Sequence, residues 1–146
     1  MTLVISLTLT PLSAGASDTC SYCVGYQFLE KAITKIPAPK ATEVQTTEHL
    51  KVVTLAEKVV GQIFVEAPKL DAKAMEHLVK ALAKSAPYDS ASRILNNHWD
   101  KLSPKLPEIE KTSAQLLSKK QISAAESERL KQSLSIYSAM IKNGNG

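Results

Sequence analysis

The chain has 146 residues, of which 44% are hydrophobic, and its formal net charge at pH 7 is +4. This length predicts one domain, at most with an extension, and the apolar fraction excludes wholesale disorder. Nucleic acid is not expected as a partner, because the charge is modest, arginine occurs only at Arg93 and Arg129, and no basic stripe alternates with aromatic residues.

The N-terminal segment has the layout of a secretory signal. The first 16 residues carry no charge, Thr2 to Leu9 is apolar, and Ala14 and Ala16 place small residues where a signal peptidase reads. We therefore predict a signal peptide over residues 1–16 and a periplasmic or secreted protein, although no positive n-region precedes the apolar run. The alternative is an apolar segment packed on the body. The run is too short to span a bilayer, so no stable membrane anchor is expected.

The spacing of apolar residues predicts an all-α fold, an antiparallel bundle of about five to six helices. The first helix is expected from about Thr19 to Ile36, where Pro37 stops it. The second begins between residues 41 and 47, with Thr46 or Thr47 as its N-cap, and ends before Pro68. The third begins after an Asp71 cap and ends at Pro87.

Three further helices are predicted in the rest of the chain. The fourth begins near Asp89 or Ser90, and Pro107 starts the fifth, which runs to about Lys120. The sixth opens at Ser123, with Glu126 completing a capping box, and is expected to end at residues 143–144. Its apolar stripe consists of Leu130, Leu134, Tyr137 and Ile141.

The organisation predicted for the mature chain is a three-helix unit over residues 17–87 followed by a helical C-terminal extension over residues 88–146. Residues 17–100 hold ten basic and ten acidic side chains, whereas residues 101–146 hold eight and four. The simpler interpretation of this basic excess is a solvated helix surface, and the alternative is a face that meets an acidic partner.

Cys20 and Cys23 are the only cysteines. Two cysteines three apart at a helix start resemble a redox dithiol, since a helix N-terminus stabilises a thiolate. No βαβ pattern surrounds them, which argues against an oxidoreductase. The alternative is a structural bridge, either between the two cysteines or to another chain. Gly25 and Gly61 stand inside predicted helices, where glycine is costly, and we expect the two to mark a helix crossing.

No catalytic, cofactor-binding or metal-binding residues are predicted, and the chain is not expected to be an enzyme. His49, His77 and His98 lie on three different predicted helices without metal-ligand spacing. No nucleophile elbow or phosphate-binding glycine loop occurs. Trp99 is expected in the core, with a binding hot spot as the alternative. The predicted partner-binding residues, expected on a loop between rigid helices, are Tyr88, Asp89 and Ser90.

The segment over residues 20–87 resembles the Tai-type (Rap/Tai family) immunity proteins of type VI secretion. The matching motifs are Cys23-Val24-Gly25-Tyr26, Leu50-Lys51-Val52-Val53 and Leu78-Val79-Lys80-Ala81-Leu82. The resemblance implies an all-α periplasmic protein, often a homodimer, that binds and blocks a peptidoglycan amidase. Its motif residues here are Cys20, Cys23, Gly25 and Tyr26. The further cysteines that family members carry are absent, and the last three predicted helices exceed the family domain.

Three functions are therefore open at this point. The first is an exported immunity protein that binds and blocks a cell-wall amidase effector. The second is a periplasmic chaperone or stress-response protein, which small size, helicity and two early cysteines would also fit. The third is lipid binding of the saposin-like kind, which is disfavoured because no later cysteines are available to pair with the first two.

Overall fold

The computed structural model of the chain describes residues 20–40 and 43–145, the last three of them by their backbone alone. Within these ranges there are six α-helices and no strand, which confirms the predicted all-α fold. The helices are α1 (Ser21–Lys35), α2 (Thr47–Glu66), α3 (Ala72–Ser85), α4 (Ala91–Leu102), α5 (Leu106–Ser118) and α6 (Ala124–Asn145). The predicted signal peptide lies outside the described residues.

The helix starts follow the capping chemistry in the sequence. Thr46 caps α2, where its hydroxyl accepts from the amide of His49 and its own amide donates to the His49 ring. Asp71 caps α3 by accepting from the amide of Ala74 at 2.9 Å. Ser123 and Glu126 form the predicted reciprocal pair ahead of α6.

The end of α6 differs from the prediction. The helical backbone continues to Asn145 and includes Gly144, so the predicted end at residues 143–144 is wrong. A glycine ends a helix only where the backbone turns left-handed, and here the helical conformation persists through it. The consequence is a helix of 22 residues, the longest of the six.

α3 is the central helix of the bundle, with α1 and α2 on one side and α5 and α6 on the other. Its buried residues include Leu78, Val79 and Leu82, and small alanines let the neighbouring helices approach. Two 3₁₀ turns, Ala86–Tyr88 and Ser103–Lys105, lead into α4 and α5. No helix among the described residues is long and apolar enough to cross a bilayer.

One continuous hydrophobic core joins the two parts that the sequence separates at residue 87. The turn at Ala86–Tyr88 is itself buried in that core, with helices of both parts packed around it. Core residues from the first part include Leu29, Val52, Ile63 and Leu78, and those from the second include Ile94, Leu102, Ile109, Leu116 and Leu130. The C-terminal helices therefore complete the core of the first three helices.

Candidate functional site

The two cysteines form a disulfide at the start of α1. Cys20 lies just before the helix and Cys23 in its first turn, with their Cα atoms 5.1 Å apart. Of the alternatives that the sequence left open, the bridge between the two cysteines is the one observed. Its loop is so short that it removes little entropy from the unfolded chain. Cys20 is partly exposed, whereas Cys23 is buried in the core.

Glu66, at the end of α2, sits at the same helix start as the disulfide. The Ser21 hydroxyl and the Gln62 amide donate hydrogen bonds to its carboxylate and lower the pKa of Glu66, with help from the first backbone amides of α1. The Gln62 Nε2 to Glu66 Oε2 distance is 2.8 Å. A carboxylate thus occupies the positive end of the α1 dipole, where a reactive cysteine would need its thiolate stabilised. This arrangement favours a structural role for the disulfide.

Tyr26 and Tyr22 belong to the packing between α1 and α3. The ring of His77 contacts both edge-on, with centroid distances of 5.2 Å to Tyr22 and 5.7 Å to Tyr26. The Lys80 ammonium lies 4.9 Å from the centroid of the Tyr26 ring. Burial and the charge of Glu30 raise the pKa of Tyr26 far above its usual value. Tyr26 therefore acts as a core residue with an un-ionised hydroxyl.

The expected crossing of Gly25 with Gly61 is wrong. A Cβ added at Gly25 would lie 3.4 Å from the Val59 Cγ2 atom, which is ordinary van der Waals contact, while a Cβ at Gly61 would meet nothing within 4 Å. α1 and α2 therefore cross at Gly25 and Val59, and neither glycine is required by close approach of the other. Gly25 instead lies at the floor of a shallow surface groove.

The expectation that Tyr88 and Ser90 are exposed for recognition is wrong. Tyr88 is 2% exposed, its hydroxyl donates to the Ile36 carbonyl, and its own carbonyl accepts from the Gln45 side chain. Ser90 is 1% exposed and its hydroxyl bonds that of Ser85 at 2.6 Å. Both side chains hold the chain segments around this turn together, because a buried hydroxyl needs a partner.

Asp89 alone of the three predicted partner-binding residues presents its side chain to solvent. Its backbone is left-handed, with φ of 65°, which turns the chain between the 3₁₀ turn and α4. Its carboxylate lies 3.6 Å from the Arg129 guanidinium of α6, and the two side chains are 75% and 46% exposed. A pair this exposed stabilises the fold by little.

The three histidines are separate and each has a packing role. The His49 ring bonds both Thr46 and the carbonyl of Pro37, which fastens the start of α2 to the segment after α1. His98 lies against the Phe64 ring at 5.4 Å, at the one residue inside α4 whose backbone is not helical. No group of three or more potential ligands in the described part of the chain could hold a metal ion.

An apolar groove runs between α4 and α6 beside Asp89. We name it the α4–α6 groove, and it encloses about 220 Å³. Its lining residues are Asp89, Ala91, Ser92, Leu95, Arg129, Gln132, Ser133, Ile136, Tyr137 and Met140. Ile136 and Met140 stand one helical turn apart, and they are 61% and 62% exposed. Large apolar side chains left open in a concave surface are typical of an interaction site.

The walls of the α4–α6 groove are fixed by contacts between the two helices. The Tyr137 hydroxyl donates to the Asn96 side-chain oxygen at 3.0 Å, and the Tyr137 ring packs on Trp99 with centroids 5.0 Å apart. Leu95 is buried at the base, and Leu130 and Leu134 anchor α6 in the core. The groove is therefore present before any partner arrives.

A second groove lies between α1 and α2 and encloses about 250 Å³. We name it the α1–α2 groove. Its floor is formed by Gly25 and Val59, and its walls carry Val24, Phe28, Leu55, Lys58 and Gln62. Val24 and Phe28 are exposed. The Cys23-to-Tyr26 motif thus contributes to this surface through Val24 and Gly25, while Cys23 and Tyr26 lie in the core.

Sequence reasoning placed Asp89 at the surface but missed Arg129, Ile136 and Met140. A signal was present in the sixth helix, because Ile136 and Met140 are apolar yet fall outside the stripe of Leu130, Leu134, Tyr137 and Ile141. Two apolar residues four apart on the wrong face of an amphipathic helix indicate a second contact surface.

Comparisons with known protein families, with curated proteins and with solved structures find no match to this chain.

Proposed function

We propose that this chain is an exported binding protein of the cell envelope, an immunity protein that binds and blocks a peptidoglycan-degrading amidase effector. The observation that carries the proposal is the preformed, exposed α4–α6 groove on two rigid helices. A protein that works by occluding another needs a complementary surface with a few central apolar contacts. The Cys20–Cys23 disulfide supports export, because disulfides persist mainly in oxidising compartments.

The test is co-expression with the neighbouring gene product directed to the periplasm. The effector alone should lyse the cells, and the full chain with its leader should prevent lysis. A neighbour that is harmless by itself, or lysis that the chain does not relieve, would overturn the proposal.

A pair of matched variants links protection to the groove. Ile136→Asp with Met140→Asp should abolish protection, because two carboxylates would replace the apolar contacts that the partner covers. The control is Val65→Asp, which changes an even more exposed apolar residue that does not line this groove. Circular dichroism should show unchanged helix content in both variants, since all three positions are exposed.

A periplasmic chaperone is the second candidate, and one observation favours it. Large exposed apolar side chains occur on both grooves and also at Leu50 and Val65, so apolar surface is spread over several helices. A chaperone should suppress aggregation of unrelated unfolded proteins and expose more apolar surface on acidification. Unchanged binding of a hydrophobic dye between pH 7 and pH 3 would exclude this candidate.

A further inference from the structure

The second half of α6 combines exposed apolar side chains with an excess of positive charge. After Arg129 the chain carries Lys131 and Lys142 and no acidic residue. Both lysines line the opposite flank of α6, where Glu110 of α5 is the one acidic side chain. Arg129 lies at the Asp89 end of the α4–α6 groove. Ile136 and Met140 therefore share the groove face with Arg129, while the two lysines on the opposite flank add to the positive potential around this half of the helix.

The groove has the length of a short peptide segment. Arg129 and Met140 are eleven positions apart on α6, which corresponds to about 16 Å along the helix axis. Three turns of a partner helix, or about five residues of an extended strand, cover that distance. Ile136 and Met140 then meet apolar side chains of the partner, and Arg129 lies where the segment ends.

The Arg129–Asp89 ion pair can separate at little cost, so that another carboxylate can take the place of Asp89. Its N to O distance is 3.6 Å and both side chains are exposed, so little free energy is needed to separate them. A partner carboxylate that arrives with apolar neighbours would face Arg129 in a groove from which water has been displaced, where the attraction is stronger. Arg93, the other arginine, pairs with Glu57 at 3.4 Å and does not line the groove.

We propose that the α4–α6 groove binds an acidic, apolar segment of a partner protein, and that a carboxylate of this segment replaces Asp89 at Arg129. This rests on the proposed function only in that the partner is a protein. Asp89 then acts as an internal competitor, which occupies Arg129 in the free chain and repels the incoming acid.

The competitor role predicts opposite effects for the two members of the pair. Asp89→Asn should tighten binding by about two- to fivefold, because the competing charge is lost, whereas Arg129→Gln should weaken it by a similar factor. Asparagine is a clean replacement, since it tolerates the left-handed backbone at this position. Arg93→Gln is the matched control, because Arg93 does not line the groove and its loss should leave binding unchanged.

The full chain carries its own reporter for the measurement. Trp99 is the only tryptophan and packs on Tyr137, which lines the groove, so its fluorescence should change when the groove is filled. The probe is a synthetic peptide of about 14 residues with leucines at helical spacing and glutamates elsewhere. Its matched controls carry lysine in place of glutamate, or serine in place of leucine. Only the glutamate–leucine peptide should bind, and its affinity should fall as salt rises.

Several outcomes would overturn the inference. They are equal binding of the lysine peptide, no binding of the glutamate peptide, and weaker binding by Asp89→Asn. Sedimentation with phosphatidylglycerol vesicles that depends on Arg129 and Ile136 would assign the face to an anionic membrane instead. If the chain still protects against the effector in any of these cases, the inference fails while the proposed function stands. If the peptide results hold but protection is absent, the proposed function fails alone.

Discussion

The two grooves differ in what surrounds their apolar walls. The α1–α2 groove lies next to a helix start that is already completed by the Cys20–Cys23 disulfide and the Glu66 carboxylate, and Lys58 is its one charged lining residue. The α4–α6 groove ends at the exposed Arg129–Asp89 ion pair, which contributes little to the stability of the fold. The first groove carries no charge pattern that identifies an occupant, whereas the second does.

This difference shows that exposed apolar area alone does not identify a partner. Both grooves have a buried floor and exposed walls, and their volumes are similar. Only the arrangement of charge separates them, since electrostatic complementarity determines which partner a surface admits. The comparison assumes that the buried floor residues stabilise the fold and that the exposed wall residues do not. Mutations can test this by their effect on the free energy of unfolding.

The largest expected effect is the loss of stability when a residue in the floor of a groove, and not one in its wall, is truncated. Leu95→Ala should lower the free energy of unfolding by about 2–5 kcal/mol and Val59→Ala by about 1.5–3 kcal/mol, because both side chains are fully buried in the floors of the two grooves. Their exposed neighbours on the walls, Phe28→Ala and Ile136→Ala, should cost less than about 1 kcal/mol. Urea denaturation followed by circular dichroism measures all four. A wall variant as costly as its floor counterpart would mean that the wall belongs to the core.

The next effect concerns the disulfide on the α1 side. Replacing Cys20 and Cys23 together by serine should lower the free energy of unfolding by about 2 kcal/mol or less, since the closed loop is so short. Reductant should lower the stability of the wild type and leave that of the variant unchanged. The α4–α6 groove should be unaffected, so a changed Trp99 emission spectrum in the folded variant would contradict the independence of the two regions.

A smaller, opposite effect is expected at the two helical glycines. Gly61→Ala should raise the free energy of unfolding by about 1 kcal/mol, because alanine favours the helix and its Cβ meets nothing. Gly25→Ala should gain about as much, because its Cβ would make an ordinary van der Waals contact with Val59. Gly25→Leu should lower the melting temperature by crowding the α1–α2 groove. Destabilisation by Gly25→Ala would show that the helices approach more closely there than the structure indicates.

The smallest effect is a pH dependence. Burial is the main cause that lowers the pKa of His77, and the hydrogen bond of its ring to the Lys73 carbonyl is the main cause that opposes it. The charges of Lys80 and Lys73 lower this pKa further, and Glu76 raises it slightly. Tyr22 and Tyr26 face the ring from α1. Because the folded pKa lies below the unfolded value of about 6.5, this histidine destabilises the fold as pH falls through that range. The fall in unfolding free energy between pH 7 and pH 5 should be shallower in His77→Gln.

His98 of α4 offers the counterpart in the second part of the chain. Burial and Lys101 lower its pKa, while Glu57 and Asp100 oppose the shift. Its ring rests on Phe64 of α2. The same measurement on His98→Gln should show a shallower slope as well. A slope unchanged in both variants would exclude protonation of these two histidines as the cause of acid sensitivity.

The sequence by itself determined the helices and most of their starts. Periodic apolar residues and local caps such as Asp71 and the Ser123–Glu126 pair act over three or four positions, so they are visible in the chain. The same local reasoning predicted a helix end at Gly144, which is wrong. A glycine near a helix end permits a left-handed turn without requiring one.

Only the tertiary structure decided which surface residues are open. Tyr88 stands between a proline and an aspartate, which is typical of an exposed turn, yet its hydroxyl reaches the carbonyl of Ile36, 52 positions away. Arg129 and Asp89 meet across 40 positions, and Ile136 is exposed because α4 packs on its neighbour Tyr137. Such contacts depend on how whole helices dock, since burial is a property of the assembled bundle and not of any local run of residues.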